Sequence, residues 1–199
     1  IYLTRKLFDY AKDEFDKALE YAPNDGEILY EYANYLHATT EFKQADEYYQ
    51  KALEVMPDNG DILAFSALNK MHTGDLEKAR EQIDLAIGKK VQSGFLLFIA
   101  GKIRYLLKDY EDAKRFLIKS FELERNPEVK NLLGLCYFEL GDYAQAKNIF
   151  KNILEGKPLN PYVMLNIAKC DAKLGDPDGA LEVLEKITEN FPDNEEAHE

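Results

Sequence analysis

Residues 133–158 read LGLCYFELGDYAQAKNIFKNILEGKP, and the pattern of this stretch returns along the whole chain. Its central small residue is Ala146. Alanine recurs at equivalent positions, 33 or 34 residues apart, at Ala11, Ala45, Ala79, Ala113, Ala146 and Ala180. A small residue at a fixed period of this length indicates one structural unit copied in tandem. We therefore expect a stacked array of units rather than one globular core.

Other positions keep the same period and predict helices. Four residues after each alanine stands a large apolar residue, namely Phe15, Tyr49, Ile83, Leu117, Phe150 and Leu184. Twelve residues before the alanine stands a second small residue, namely Ala33, Ala67, Gly101, Gly134 and Ala168. Apolar spacings of three, four and seven are typical of amphipathic helices and not of strands. Each unit is therefore predicted to be a helix, a short turn and a second helix.

The turn inside each unit is marked by an acidic residue, most clearly at Gly74-Asp75, Gly141-Asp142 and Gly175-Asp176. An aspartate at the start of a helix can accept hydrogen bonds from backbone N–H groups that the first turn leaves unpaired. We expect this role for Asp75, Asp109, Asp142 and Asp176 at the starts of the second helices. Pro177 suits the first helical position that follows such a cap.

These residues resemble the tetratricopeptide repeat (TPR) family, in which a large residue, Leu-Gly, Tyr, Ala, Phe and Pro stand at set spacings. The best copy is Leu133-Gly134, Tyr137, Ala146, Phe150 and Pro158. Three positions of the family pattern show departures. The tryptophan position holds Leu29, Leu63, Leu97, Lys130 and Met164, and the tyrosine position departs at Leu36, Lys70, Arg104 and Asp171. The proline position holds Pro23, Pro57, Pro158 and Pro192, with Val91 and Arg125 interrupting the run.

The resemblance implies an all-α, right-handed superhelical solenoid of about six tandem helix-turn-helix repeats, with the first and last units incomplete. We expect one domain over residues 1–199. Its repeats are predicted at residues 1–25 (partial), 26–59, 60–93, 94–126, 127–160 and 161–194, with the start of a further helix at 195–199. Ile1 is expected late in the first helix of the first unit, so the sequence reads as a segment of a longer protein.

Composition and motifs exclude several classes of function. The formal net charge of −12 argues against nucleic acid as a partner. The longest apolar run, residues 95–101, is far too short to cross a bilayer. The sequence contains no phosphate-binding loop, nucleophile elbow or metal motif, so we expect no enzyme activity, no cofactor and no metal site. The compartment stays open, with a soluble cytoplasmic protein as the default interpretation.

The histidines and cysteines each allow a simple interpretation. His37 and His72 lie near the same edge of neighbouring units, where they are either two partly exposed helix residues or a shared metal site or pH switch. Cys136 and Cys170 occupy equivalent positions of neighbouring units. Stacked helices lie too far apart for a disulfide there, so both are predicted to be small buried apolar residues.

The resemblance implies that the first helix of each unit lines a concave groove in which peptides bind. The first helix of the fourth unit is apolar on every side over residues 95–101, which predicts burial on every side. The predicted partner-binding groove consists of Phe65, Leu68, Met71, Phe95, Phe98, Lys102, Tyr105, Leu135, Phe138, Leu165 and Lys169. The alternative is that these side chains simply pack against adjacent first helices.

The predicted function is a non-catalytic scaffold or adaptor that binds a partly apolar protein segment in this groove. The alternatives are a self-assembling, homo-oligomeric scaffold and the recognition domain of a larger enzyme. The groove is acidic in the second and third units, at Glu27, Glu31 and Asp61. It is basic in the fourth and sixth units, at Lys102, Lys169 and Lys173. A bound segment is therefore expected to place its acidic end nearer the sixth unit.

The repeat assignment itself can be tested at the alanine stripe. Ala146→Leu is expected to lower the free energy of unfolding by about 1–3 kcal/mol, because overpacking a close helix contact forces the helices apart. Glu155→Leu, a surface control, should change it by less than about 0.5 kcal/mol. Equal urea-denaturation midpoints for Ala146→Leu and the wild-type protein would show that the repeat is misplaced there.

Overall fold

The computed structural model describes residues 2–89, 93–156 and 159–192, with side chains from Tyr10 onward. These residues form eleven helices and no strand. The helices are α1 (Tyr2–Tyr21), α2 (Gly26–Ala38), α3 (Phe42–Val55), α4 (Gly60–Thr73), α5 (Leu76–Gly88), α6 (Gly94–Leu106), α7 (Tyr110–Leu123), α8 (Pro127–Glu139), α9 (Tyr143–Leu154), α10 (Pro161–Leu174) and α11 (Pro177–Asn190). The predicted helix start at 195–199 and the turn residues Val91 and Pro158 lie outside the described residues.

From α2 onward the helices pack as consecutive antiparallel pairs, α2 with α3, α4 with α5, α6 with α7, α8 with α9, and α10 with α11. The all-α tandem architecture predicted from the sequence is confirmed. The chain divides into two compact units, residues 1–92 and 93–199. The single domain over 1–199 and its repeat boundaries stay predictions.

Small residues form the contact within each pair. Ala45, Ala79, Ala113 and Ala146 have no solvent-exposed surface. A Cβ atom at Gly134 would lie 2.7 Å from the ring of Phe150, which is closer than carbon atoms approach. The side chain of Phe150 therefore occupies the space that a larger residue at position 134 would need.

Capping side chains begin most of the helices. Asp109, Asp142 and Asp176 each accept a hydrogen bond from a backbone N–H in the first turn of the second helix, as predicted. Asp75 does not, and the prediction is wrong there. Its carboxylate instead forms an ion pair with Lys78 at 2.9 Å, and that lysine holds the pKa of Asp75 below its usual range. The first helices are capped too, by Asp25, Asn59, Ser93, Asn126 and Asn160.

A left-handed residue closes the first helix of every complete pair. Gly74, Gly141 and Gly175 have φ between 79° and 83°, which costs glycine nothing. Thr40 and Lys108 adopt the same conformation at the equivalent positions, with φ of 66° and 64°. The turn geometry is therefore set by the helix pair and not by glycine.

The start of the chain differs from expectation. α1 is one continuous helix from Tyr2 to Tyr21, so residues 2–7 extend the second helix of the first unit instead of ending its first helix. Leu7 stands where the other units have Glu41 or an aspartate before the second helix. Without an acidic cap residue, the sequence offers no signal that would end one helix and begin another there.

Each compact unit contains an ion pair between neighbouring repeats at equivalent positions, and the acidic and basic residues are exchanged between the two units. In the first unit Lys70, on α4, lies 2.6 Å from Asp46, on α3, and its side chain is buried. In the second unit the equivalent positions are Lys147, on α9, and Asp171, on α10, which also form an ion pair. The packing at this position therefore accepts an ion pair of either polarity.

This exchange predicts the behaviour of a charge swap. Lys70→Asp should lower the free energy of unfolding by about 2 kcal/mol, because it buries a carboxylate beside Asp46, a partner that is itself partly exposed. Adding Asp46→Lys recreates the polarity of the second unit and should recover at least half of the loss. The comparison is made by urea denaturation. A double variant no more stable than Lys70→Asp would contradict the equivalence of the two positions.

Candidate functional site

A cleft of about 890 Å³ opens in the second compact unit, and we call it the second-unit cleft. It lies where α6, α8 and the start of α10 meet the C-terminal ends of α7 and α9. Its lining consists of Phe98, Lys102, Phe121, Arg125, Pro127, Glu128, Lys130, Asn131, Leu132, Asn152, Ile153, Gly156, Asn160, Tyr162, Val163 and Asn166. This volume is within the range of pockets that hold small molecules or a few residues of a peptide.

Two of the eleven predicted groove residues, Phe98 and Lys102, line this cleft. Phe98 is also half-buried against the cluster that contains Leu117 and Val129. Truncating Phe98 would therefore cost folding free energy as well as any binding free energy, so it is a poor probe of binding alone.

The other predicted groove residues of the second unit lie elsewhere. Tyr105 packs beside Tyr110, and Leu135 and Phe138 pack against the buried cluster around Phe150. Leu165 is buried against Ile187. Phe95 and Lys169 are exposed but outside the cleft lining.

The three remaining residues belong to the first unit. Met71 is buried, whereas Phe65 and Leu68 are half-buried. Phe65 contacts Tyr30 edge-on, with ring centroids 6.0 Å apart. The alternative interpretation, packing against neighbouring helices, thus describes most of the predicted strip, and its role in binding stays a prediction.

The second-unit cleft combines apolar walls with polar groups, since eight of its sixteen lining residues are charged or carry a side-chain amide. Tyr162 is 71% exposed although it lines the cleft. Asn160 is committed to capping α10, and Asn152 donates to the carbonyl oxygen of Asn148. The side-chain amides of Asn131 and Asn166 make no hydrogen bond to a described side chain or backbone group, so they are available to a bound chain.

The charge of the lining is opposite to that of the protein. Lys102, Arg125 and Lys130 are its cations and Glu128 is its single carboxylate. None of the three cations forms an ion pair with a residue that the structure describes. The ammonium of Lys130 lies over the ring of Phe121, 5.4 Å from its centroid.

Two features common in active sites, a metal-binding cluster and a reactive thiol, can be examined in the described residues. No group of three or more His, Cys, Asp or Glu side chains among them could hold a metal ion. Cys136 and Cys170 are unpaired and buried, as predicted. Burial raises the pKa of the Cys136 thiol to about 12 and that of Cys170 to about 11, so neither is a nucleophile near neutral pH.

The two histidines predicted near one edge do contact each other. The ring centroids of His37 and His72 are 5.2 Å apart, and His72 stacks on Phe42 at 5.1 Å. The buried amide of Asn69 donates to the Phe42 carbonyl, so its oxygen accepts from Nδ1 of His37 at 3.0 Å. The contact fixes the ring of His37 in the first unit, and a metal or pH-sensing role stays a hypothesis.

Family models of the tetratricopeptide repeat match residues 26–59 and 137–199. The chain is a tetratricopeptide repeat protein. The family matches and the helical fold support a role as a protein-interaction scaffold. No helix among the described residues is both long and apolar enough to span a bilayer.

Solved structures share the fold at low sequence identity. YrrB, described as a TPR protein with an unusual peptide-binding site, is 23% identical with a TM-score of 0.80, over 92% of this chain and 95% of that one. Pseudomonas aeruginosa pilF is 22% identical with a TM-score of 0.81, over 99% and 90%. MamA is 20% identical with a TM-score of 0.74, over 82% and 90%.

The tetratricopeptide pattern contains a signal that points to the cleft residues the sequence analysis missed. Lys130 stands at the family's tryptophan position, where the other repeats have the buried side chains of Leu29, Leu63, Leu97 and Met164. Arg125 stands at the proline position. Both departures line the second-unit cleft. Each departure is visible in the sequence by itself, but their adjacency across a turn is visible only in the folded repeat.

Restoring the repeat residue should fill the cleft. Lys130→Leu is expected to raise the free energy of unfolding by about 1 kcal/mol, because an aliphatic side chain then covers Phe121 and Ile153 without a charged group to keep hydrated. Lys151→Leu, at an exposed site on α9, should change it by less than about 0.5 kcal/mol. A destabilised Lys130→Leu would show that the lysine stem already fills this space.

Proposed function

We propose that this tetratricopeptide repeat protein is a non-catalytic scaffold whose second-unit cleft binds an extended segment of another protein. The observation that carries the proposal is Tyr162, which is 71% exposed yet lines a cleft that also presents Phe98 and Leu132. An aromatic side chain at the mouth of an apolar cleft is typical of binding anchors. The peptide-binding site for which YrrB is described gives a precedent within the same fold.

The polar groups suit an extended backbone. Asn131 and Asn166 lie on first helices of adjacent pairs, and both face the cleft. Each amide can donate to a peptide carbonyl and accept from a peptide N–H. Together with the apolar wall they would fix the direction of a bound chain, while Tyr162 covers one of its side chains.

The test uses two exposed tyrosines. A library of short random peptides is selected on the immobilised protein, and the dissociation constant of a recovered peptide is measured by fluorescence anisotropy. Tyr162→Ala should weaken binding about tenfold or more, because exposed aromatic anchors lose at least about 1.4 kcal/mol on truncation. Tyr21→Ala is the matched control, since Tyr21 is 96% exposed in the first unit and should leave binding unchanged.

Neither substitution should shift the melting temperature, because both side chains are largely in water before binding. Equal affinity of the peptide for Tyr162→Ala and wild type would reject the cleft as the site. The alternative of self-assembly makes a different forecast. It predicts that the sedimentation coefficient rises with protein concentration in the absence of any peptide.

A further inference from the structure

We propose that the second-unit cleft selects segments in which an acidic residue lies beside an aromatic or aliphatic one, with the acidic side chain held between Arg125 and Lys130. This inference rests on the proposed function and adds the chemistry of the partner.

The two cations occupy positions at which the other repeats place apolar or turn-forming residues. The position of Lys130 is filled elsewhere by leucine or methionine, each of them buried. A lysine there gives up apolar burial and must keep its ammonium hydrated or paired, so packing alone does not account for it. Arg125, five residues earlier and across the same turn, lines the same cleft. The two departures therefore place two cations on one wall.

The first unit provides an internal comparison. A smaller cleft of about 460 Å³, the first-unit cleft, is lined in part at equivalent positions. There Leu29 occupies the position equivalent to Lys130. Pro23 is equivalent to Arg125, and Leu19 is equivalent to Phe121. Its lining contains one cation, Lys51, and one carboxylate, Glu54, so its charges balance. The excess of positive charge is thus a property of the second-unit cleft and not of the repeat architecture.

The charge of the cleft favours an acidic occupant. The lining carries two more cations than carboxylates, whereas the whole protein has a net charge of −12. A basic segment attracted by the protein's overall charge would meet like charge in the cleft. The ring of Phe121, which lies under the ammonium of Lys130, offers an apolar surface next to that cation. An acidic residue followed or preceded by an apolar one matches this pair of features.

The same geometry revises the expected direction of a bound segment. Lys102 lies on α6, Arg125 directly follows α7 and Lys130 lies on α8. By contrast, α10 contributes only uncharged residues to the lining, namely Tyr162, Val163 and Asn166. Lys169 and Lys173 do not line the cleft. The acidic end of the segment is therefore placed at the turn between α7 and α8, away from the sixth unit.

Two peptide libraries test the inference. In one library Asp and Glu are the only polar residues, and in the other Asn and Gln replace them, with the same apolar residues in both. We expect the acidic library to yield binders and their affinity to fall as salt is raised. Replacing the acidic residue of a recovered peptide by its amide should weaken binding about tenfold.

Protein variants test whether Arg125 and Lys130 cause the preference for acidic peptides. Arg125→Gln with Lys130→Gln should weaken binding of the acidic peptide about tenfold and leave binding of its amide version unchanged. Lys119→Gln with Lys151→Gln removes the same charge at exposed sites on α7 and α9 outside the lining, and should retain wild-type affinity. Lys130→Arg should retain most of the affinity, since it keeps the charge.

The outcomes separate the two proposals. Amide peptides that bind as tightly as acidic ones, and still lose affinity in Tyr162→Ala, would overturn the charge selection and leave the proposed function standing. Full affinity of the acidic peptide for Arg125→Gln with Lys130→Gln would overturn the assignment of these two residues. If neither library yields a binder, the charge selection is wrong, whereas the proposed function is rejected only if the random library also yields none.

Discussion

The close approach of two helices at a small residue is the contact on which the rest of this structure depends. At Ala45, Ala79, Ala113 and Ala146 no surface remains for solvent, and in two pairs the glycine of the first helix, Gly101 or Gly134, is covered by Leu117 or Phe150. Such a contact has little tolerance for added volume, because protein interiors are close-packed. The contact fixes how closely the two helices of a pair approach each other. The remaining positions of the repeat can then vary while the pair keeps its geometry.

Because the remaining positions of the repeat can vary, the sequence predicted the fold but not much of its detail. The period of the small residues is a local pattern, so the helix pairs could be read directly from it. The left-handed turn residues were harder to recognise, because Thr40 and Lys108 adopt a conformation that glycine signals at Gly74, Gly141 and Gly175. Asp75 shows the converse. It has the sequence of a cap, but Lys78 competes for its carboxylate one turn later.

The candidate site was only partly predictable, for a related reason. The predicted groove was based on which face a residue occupies along its own helix, and two of its residues, Phe98 and Lys102, line the cleft. It could not show that Leu165 and Met71 are buried by neighbouring helices, because burial depends on the spacing between elements. Nor could it bring Phe121, Arg125 and Ile153 to the same surface, since they come from the ends of second helices.

The ion pairs between neighbouring repeats show how the array can change chemistry without changing packing. Asp46 with Lys70 and Lys147 with Asp171 occupy equivalent positions with opposite polarity, so the contact accepts an ion pair in either order. The same reasoning applies to the tryptophan position. A buried leucine or methionine occupies this position in four repeats, and the fold persists with the half-buried Lys130 in the fifth. A stacked array in which each repeat contacts only its neighbours confines such a change to one place. The second-unit cleft, with its cations and its exposed Tyr162, is what one such local change produces.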